Sequence, residues 1–335
     1  QDFGSVVQLA LLLFCHLELD NLRLAVCCSM DTPSVSMMEV PRLTARNWAN
    51  LVAFIVNFGV TYGSLTGAFG ATNTALSKKY QTLVTPAGWA FSIWGPIFIW
   101  EGIFAICQML PTLRASVLAQ RVTIWWSAAC TFQVLWSVVF AQEAITLALL
   151  CMLGILGSLL GLSWMADVGE SITAKEFCLL RAPFSLHLGW IVAASAVNAN
   201  VLADASKALP ATLTTVAIVS LGAVFTIATI FATAIRKPDA ILCLASAWAL
   251  LGIYSELGSP ANLEDPTRFN PVAWDATTIE GIRGAALVLG LVLLVLATAA
   301  AGLRLFDVRN VGIKRNERTL ASAALTQGTL AGNAA

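Results

Sequence analysis

The chain has 335 residues, 58% of them hydrophobic and 11% charged, with a mean hydropathy of +0.79. A soluble domain carries roughly 25% charge, so a water-soluble globule is excluded and a polytopic membrane protein is the class that fits. Nineteen basic and nineteen acidic side chains cancel, leaving no cationic excess to attract nucleic acid.

Residues 1–29 contain an apolar run, Ser5–Cys15, too short to cross a bilayer that needs about 20 residues. This stretch is expected to be a disordered or processed leader, with Met30 as an alternative start, and 1–47 is assigned as an N-terminal tail. From Trp48 onward long apolar runs alternate with short polar breaks: 48–70, 89–110, 121–141, 144–165, 178–203, 211–234, 239–257 and 281–304. Each is about 19–26 residues, or roughly 28–39 Å as a helix, which matches a hydrocarbon core of about 30 Å. Period-two alternation is absent, so the expected fold is all-α, a bundle of about eight transmembrane helices. Gln142–Glu143 is too short to be anything but a tight helical hairpin.

Loop charge sets an orientation. Twelve Lys and Arg, among them Arg42, Arg114, Arg236 and Arg318, fall on the amino-terminal side, and five (Lys78, Lys79, Lys207, Arg268, Arg283) on the other. Both termini are therefore expected on the positive-inside face. The stretch 306–335 is a polar C-terminal tail, and within it Thr319–Ala335 is expected to be disordered. Two long loops, Ala71–Gly88 and Gly258–Glu280, the second carrying Pro260, Pro266, Pro271 and Trp274, fall on the less positive face. They form either a shared lid over a cavity or two plain connectors.

Glu101 lies in mid-span, on a face shared with Trp94, Ile97, Phe104 and Gln108 at steps of three and four. A carboxyl there costs about 2.5–3.5 kcal/mol on insertion scales, so it should face the bundle interior and find a partner. It serves either as a structural interhelical hydrogen bond or in ligand or proton handling. His187 is deep enough to bond Glu101, to ligate the metal of a tetrapyrrole, or to sit as a satisfied core residue. Arg181 is expected to snorkel to the interface, and Pro183 to kink its helix. Trp190, Ala194 and Asn198 follow at four-residue spacing on one face, as do Phe132, Trp136 and Phe140, with Gln133 nearby. Such stripes usually pack, but several of them with intramembrane polar groups would also suit a mostly apolar pocket.

No lysine lies in an apolar helix middle, and phosphate-loop, zinc-protease and serine-elbow motifs are missing, so no catalytic residues are assigned. The eight cysteines show no C-x-x-C pair and the histidines number two, so no metal site is assigned. A loose reversed sterol motif covers Lys78–Leu83.

Pro86-Ala87-Gly88-Trp89-Ala90-Phe91, Trp136-Ser137-Val138-Val139-Phe140 and the Trp190, Ala194, Asn198 triplet together resemble, in order and spacing, the TspO/MBR family of tryptophan-rich sensory or translocator proteins. The resemblance covers 48–203 as a five-helix core, with 204–305 as three additional transmembrane helices. Gln133 stands where the family usually has Asn, and Glu101 where it usually has an apolar residue. The resemblance implies a non-enzymatic receptor or carrier for a hydrophobic planar ligand: a porphyrin, haem or chlorophyll-type tetrapyrrole, or a sterol. The corresponding binding residues would be Trp89, Trp94, Glu101, Gln133, Trp136, His187, Trp190, Ala194 and Asn198. Partners would be the lipid bilayer, that small molecule, and a second copy or a larger membrane complex. A mitochondrial or plastid membrane is one compatible setting, and the sequence leaves the compartment open. The alternative is a non-enzymatic accessory subunit of a photosynthetic or respiratory complex. A secondary transporter is less favoured, because no inverted repeat is evident.

Overall fold

The computed structural model describes residues 42–111, 113–114, 116–167, 176–235, 237–259 and 274–332, with side chains as far as Arg304. The leader at 1–29 and the proline-bearing part of the second long loop, 260–273, lie outside the described residues. Among the described residues the fold has helices and no strands: α1 (Ala45–Leu65), α2 (Asn73–Lys79), a 3-10 turn (Gly88–Ile93) that runs into α3 (Trp94–Cys107), α4 (Val117–Ala141) and α5 (Ile145–Asp167). A π turn (Phe177–Arg181) then leads into α6 (Ala182–Ala205), followed by α7 (Pro210–Thr233), α8 (Ala240–Glu256) and α9 (Ala276–Gly332).

Seven segments are long and apolar enough to span a membrane; the eighth apolar helix, α8, is shorter. At 17 residues it reaches about 26 Å, and it is buried along nearly its whole length from Ala240 to Ile253. The all-α polytopic bundle expected from hydropathy is what the structure shows, with an apolar outer face that meets lipid. α1 displays the membrane logic: its buried residues are Asn47, Asn50, Asn57, Thr61 and Ser64, while Trp48, Val52, Ile55, Val56 and Phe58 face outward. Polar groups turn inward because lipid offers them no hydrogen bond.

α6 is the central rod, with 83% of its apolar stretch buried against 22–44% in the other long spans. α8 lies against it closely enough that a Cβ on Gly189 would fall 2.5 Å from the Leu242 carbonyl oxygen, the small-residue contact that allows helices to approach in lipid. The α4–α5 hairpin closes at Glu143, which takes a positive φ of 59°. Gln108 and Asn47 lock α3 to α1 through three hydrogen bonds of 2.8–3.0 Å.

Three expectations are corrected. Arg181 does not snorkel: it is 1% exposed, pairs with Asp239 at 3.2 Å and donates to Ser163 and Ser185 at 2.8 and 2.5 Å. Asp239 caps α8, and its buried carboxylate holds the guanidinium inside. Pro183 falls in the first turn of α6, directly after the π turn, and the Cys178 carbonyl five residues before it accepts instead from the Trp100 indole N–H at 2.9 Å. Phe132 leaves the Trp136–Phe140 stripe: it is 37% exposed and lies over Gly154 of α5. Finally, α9 continues to Gly332 through the stretch expected to be disordered; no proline interrupts it and its Ala, Leu and Arg are strong helix formers.

Candidate functional site

The segment between α1 and the 3-10 turn is strapped across one end of the bundle. Gly70, at φ +141°, comes so close to the end of α4 that a Cβ would lie 2.4 Å from the Ala141 carbonyl oxygen. The next amide, Ala71, donates to that oxygen at 3.0 Å. Lys79 and Tyr80 both reach Glu143 in the α4–α5 turn, the Tyr80 hydroxyl donating at 2.7 Å. Lys79 first and Tyr80 second hold the Glu143 carboxyl below the usual carboxylate range. Burial and the Glu143 hydrogen bond push the Tyr80 hydroxyl up. At its other end the segment is tied to α8: Gln81 donates to Glu256 at 2.6 Å, Ala87 N–H to the Gly252 carbonyl at 3.0 Å, and Trp89 to Ser255 at 3.2 Å. Trp248 of α8 donates in turn to the Ala90 carbonyl at 2.8 Å.

Under this strap lies a cavity of about 710 Å³, within the range of about 300–1,000 Å³ typical of small-molecule sites. Its wall is aromatic, from Tyr62, Phe91, Trp94, Phe98 and Trp136, and its rim is polar, from Asn73, Thr74, Ser77, Lys78 and Gln81. It continues into a narrow crevice of about 50 Å³ between α4, α5, α6 and α8, where Phe140, Met152, Trp190, Ala194, Asn198 and Ile253 join the lining. The wall there is rigid. Trp136 donates to the Asn198 side-chain oxygen at 3.1 Å, Asn198 donates to the Ala194 carbonyl at 2.9 Å, and the Trp136 ring stacks on Phe140 at 5.0 Å.

Behind the aromatic wall, deeper in the bundle, Glu101 Oε1 and His187 Nδ1 are 2.8 Å apart with both side chains buried. Trp94, whose other side faces the cavity, meets the imidazole edge-on at 5.6 Å. One turn further from the cavity, Phe104, Trp126 and Phe184 pack edge-to-face on one another at 4.8–5.5 Å, and Phe54 lies against Trp126. Between these aromatic layers Asn57 donates to Cys130. Glu101 Oε2, His187 Nε2, the Trp190 indole N–H and both side-chain polar atoms of Gln133 are buried with no hydrogen-bond partner, where each such group costs about 1–3 kcal/mol.

Of the residues singled out from sequence, Trp94, Trp136, Trp190, Ala194 and Asn198 converge on the cavity and its crevice. Glu101, His187 and Gln133 lie behind the wall rather than on it. Trp89 is 38% exposed and packs edge-on against Trp248 at 4.8 Å, serving the strap. Sequence reasoning missed Tyr62, Asn73, Ser77, Phe91 and Phe98. Phe98 was within reach, four residues after Trp94 on the same face, and so was Tyr62, beside the last turns of the polar stripe on α1. Asn73 and Ser77 belong to α2, whose short helix carries too weak a periodicity to place it.

No curated protein and no solved structure matches the chain. A family model described as TSPO-like protein matches residues 47–299, a range that takes in the strap, the cavity wall, α7, α8 and the first part of α9. With three-quarters of its length under that one model, the chain belongs to the TSPO-like family.

Proposed function

We propose that this membrane protein is a non-enzymatic receptor or carrier for a flat, largely apolar molecule, a tetrapyrrole in the first instance and a sterol otherwise, held beneath the 71–88 strap. The observation that supports the reading is the cavity itself: aromatic faces for a planar body, small Ala194 where a ring edge would approach, and a polar rim where Lys78 would meet a carboxylate. In this reading Trp94, Trp136 and Trp190 stack or pack on the ligand. Asn198 keeps Trp136 in place, and Glu101 acts from behind the wall. Both termini face the positive-inside side of an organellar membrane, and the cavity opens toward the opposite face.

Titrating protoporphyrin IX into purified protein in nanodiscs, read by tryptophan quenching, tests this. Saturable binding that weakens at least tenfold in Trp136→Ala and Trp190→Ala is expected. Binding unchanged in both variants overturns it. Co-migration with a large complex on native gels, with no porphyrin bound, would favour the accessory-subunit reading instead.

A further inference from the structure

The Glu101–His187 pair is more than the ligand reading uses. The two side chains are 0% and 2% exposed and 2.8 Å apart, and each keeps one polar atom, Oε2 and Nε2, without a partner. A hydrogen bond that served only to fasten α3 to α6 would need neither a carboxyl nor an imidazole; two amides do that work between Asn47 and Gln108 at the other end of α3. The surroundings are also polar beyond what packing requires. The unpartnered amide of Gln133 lies one turn of α4 beyond Cys130, and the unpartnered Trp190 N–H one turn of α6 beyond His187.

We propose that Glu101 and His187 form an intramembrane proton-binding site that exchanges protons with the cavity and is closed toward the opposite face. The aromatic layer of Phe54, Phe104, Trp126 and Phe184 lies on that far side. On the near side Trp94 meets the imidazole and also lines the cavity. Among the described residues, Cys130 of α4 is a titratable group that interacts electrostatically with Glu101, and α1 brings neutral Asn57. α8 meets α6 nearby with Leu242, Ala245 and Ser246, none of which titrates. Before α6 begins, Arg181 is engaged with Asp239. A proton gained or lost therefore changes the charge of this layer. Trp94 touches both the imidazole and the cavity, so protonation and cavity occupancy are linked, and the link is reciprocal. This last step rests on the ligand reading above; the proton site does not.

Two measurements separate them. The chain holds only two histidines, His16 and His187, so nitrogen-15 labelling of histidine in nanodiscs, in a His16→Asn background, follows His187 alone with its site intact. Infrared difference spectra, wild type against Glu101→Gln, follow the carboxyl. Without any ligand, a His187 resonance that shifts with pH over the range in which the protein stays folded, together with a carboxyl band that titrates and is missing in Glu101→Gln, is the expected result. A resonance and a band that stay fixed over that range overturn the site, and the histidine measurement alone decides if Glu101→Gln fails to fold. With protoporphyrin IX, the wild-type Kd should change with pH by up to about tenfold per unit more than that of Glu101→Gln, the porphyrin's own titration being common to both. Parallel profiles overturn the linkage. Absence of porphyrin binding defeats the ligand reading and the linkage with it, while the histidine and infrared titrations still decide the proton site.

Discussion

The indole N–H of Trp136 donates to the side-chain oxygen of Asn198 across 3.1 Å, so that α4 and α6 are joined at the crevice wall by a polar contact. Removing the donor while keeping an aromatic ring, Trp136→Phe, should cost about 1 kcal/mol. Asn198→Ala should cost a similar amount, because it leaves the indole N–H buried and unpaired. Thermal unfolding in nanodiscs measures both, and a double-mutant cycle should return a coupling of at least about 0.5 kcal/mol. A coupling near zero would mean that the contact does not hold the wall.

At the other end of the bundle, the Arg181–Asp239 pair has side chains 2% and 3% exposed. Breaking such a pair strands a buried charge. Asp239→Ala should therefore lose about 3–5 kcal/mol, whereas Arg181→Met combined with Asp239→Leu should recover most of the loss. Expression level and detergent melting temperature distinguish the two. Equal instability of the single and double variants would show that the pair's neighbours, not its charges, matter there.

Glu143 fastens the strap at the cavity mouth, and Lys79 and Tyr80 hold its carboxyl below the usual carboxylate range. A carboxyl whose folded value is depressed stabilises the fold above its unfolded value, and the gain is lost as pH falls through the folded value. Wild type should thus melt slightly higher than Glu143→Gln at neutral pH, with the difference shrinking below about pH 4.5 and in high salt, since Lys79 is exposed. A difference that grows as pH falls would contradict the sign.

Gly70 has both a positive φ and no room for a side chain. Gly70→Ala should push the strap off the end of α4 at a cost of about 1–3 kcal/mol. The expected readout is weaker porphyrin binding together with faster protease cleavage within residues 71–88. Unchanged cleavage would mean that the ties to α8 suffice to hold the strap.

Much of this molecule is written locally. The apolar runs, the two-residue hairpin turn at Gln142–Glu143 and the inward face through Ile97, Glu101, Phe104 and Gln108 can all be read by counting residues, because lipid rewards uniform hydrophobicity and punishes an outward carboxyl. Arg181 shows where counting stops. Its position near a helix start suggested snorkelling, and its acceptor lies 58 residues away in sequence, brought within reach only by the packing of α8 against α6. The strap is a similar case: α2 is seven residues long and is held by ties to α4, to the α4–α5 turn and to α8, none of which leaves a periodic trace.

Hydropathy and periodicity by themselves determined that the chain is a membrane-spanning helical bundle with polar groups turned inward, because both depend on the solvent each residue meets along its own helix. Only the tertiary structure decided which of those groups meet: that Glu101 takes His187, 86 positions away, that Trp136 takes Asn198, and that a cavity remains under the strap. Those outcomes depend on how each helix is rotated and on how closely small residues such as Gly189 let neighbours approach, and many different partners are compatible with one and the same pattern of apolar and polar residues.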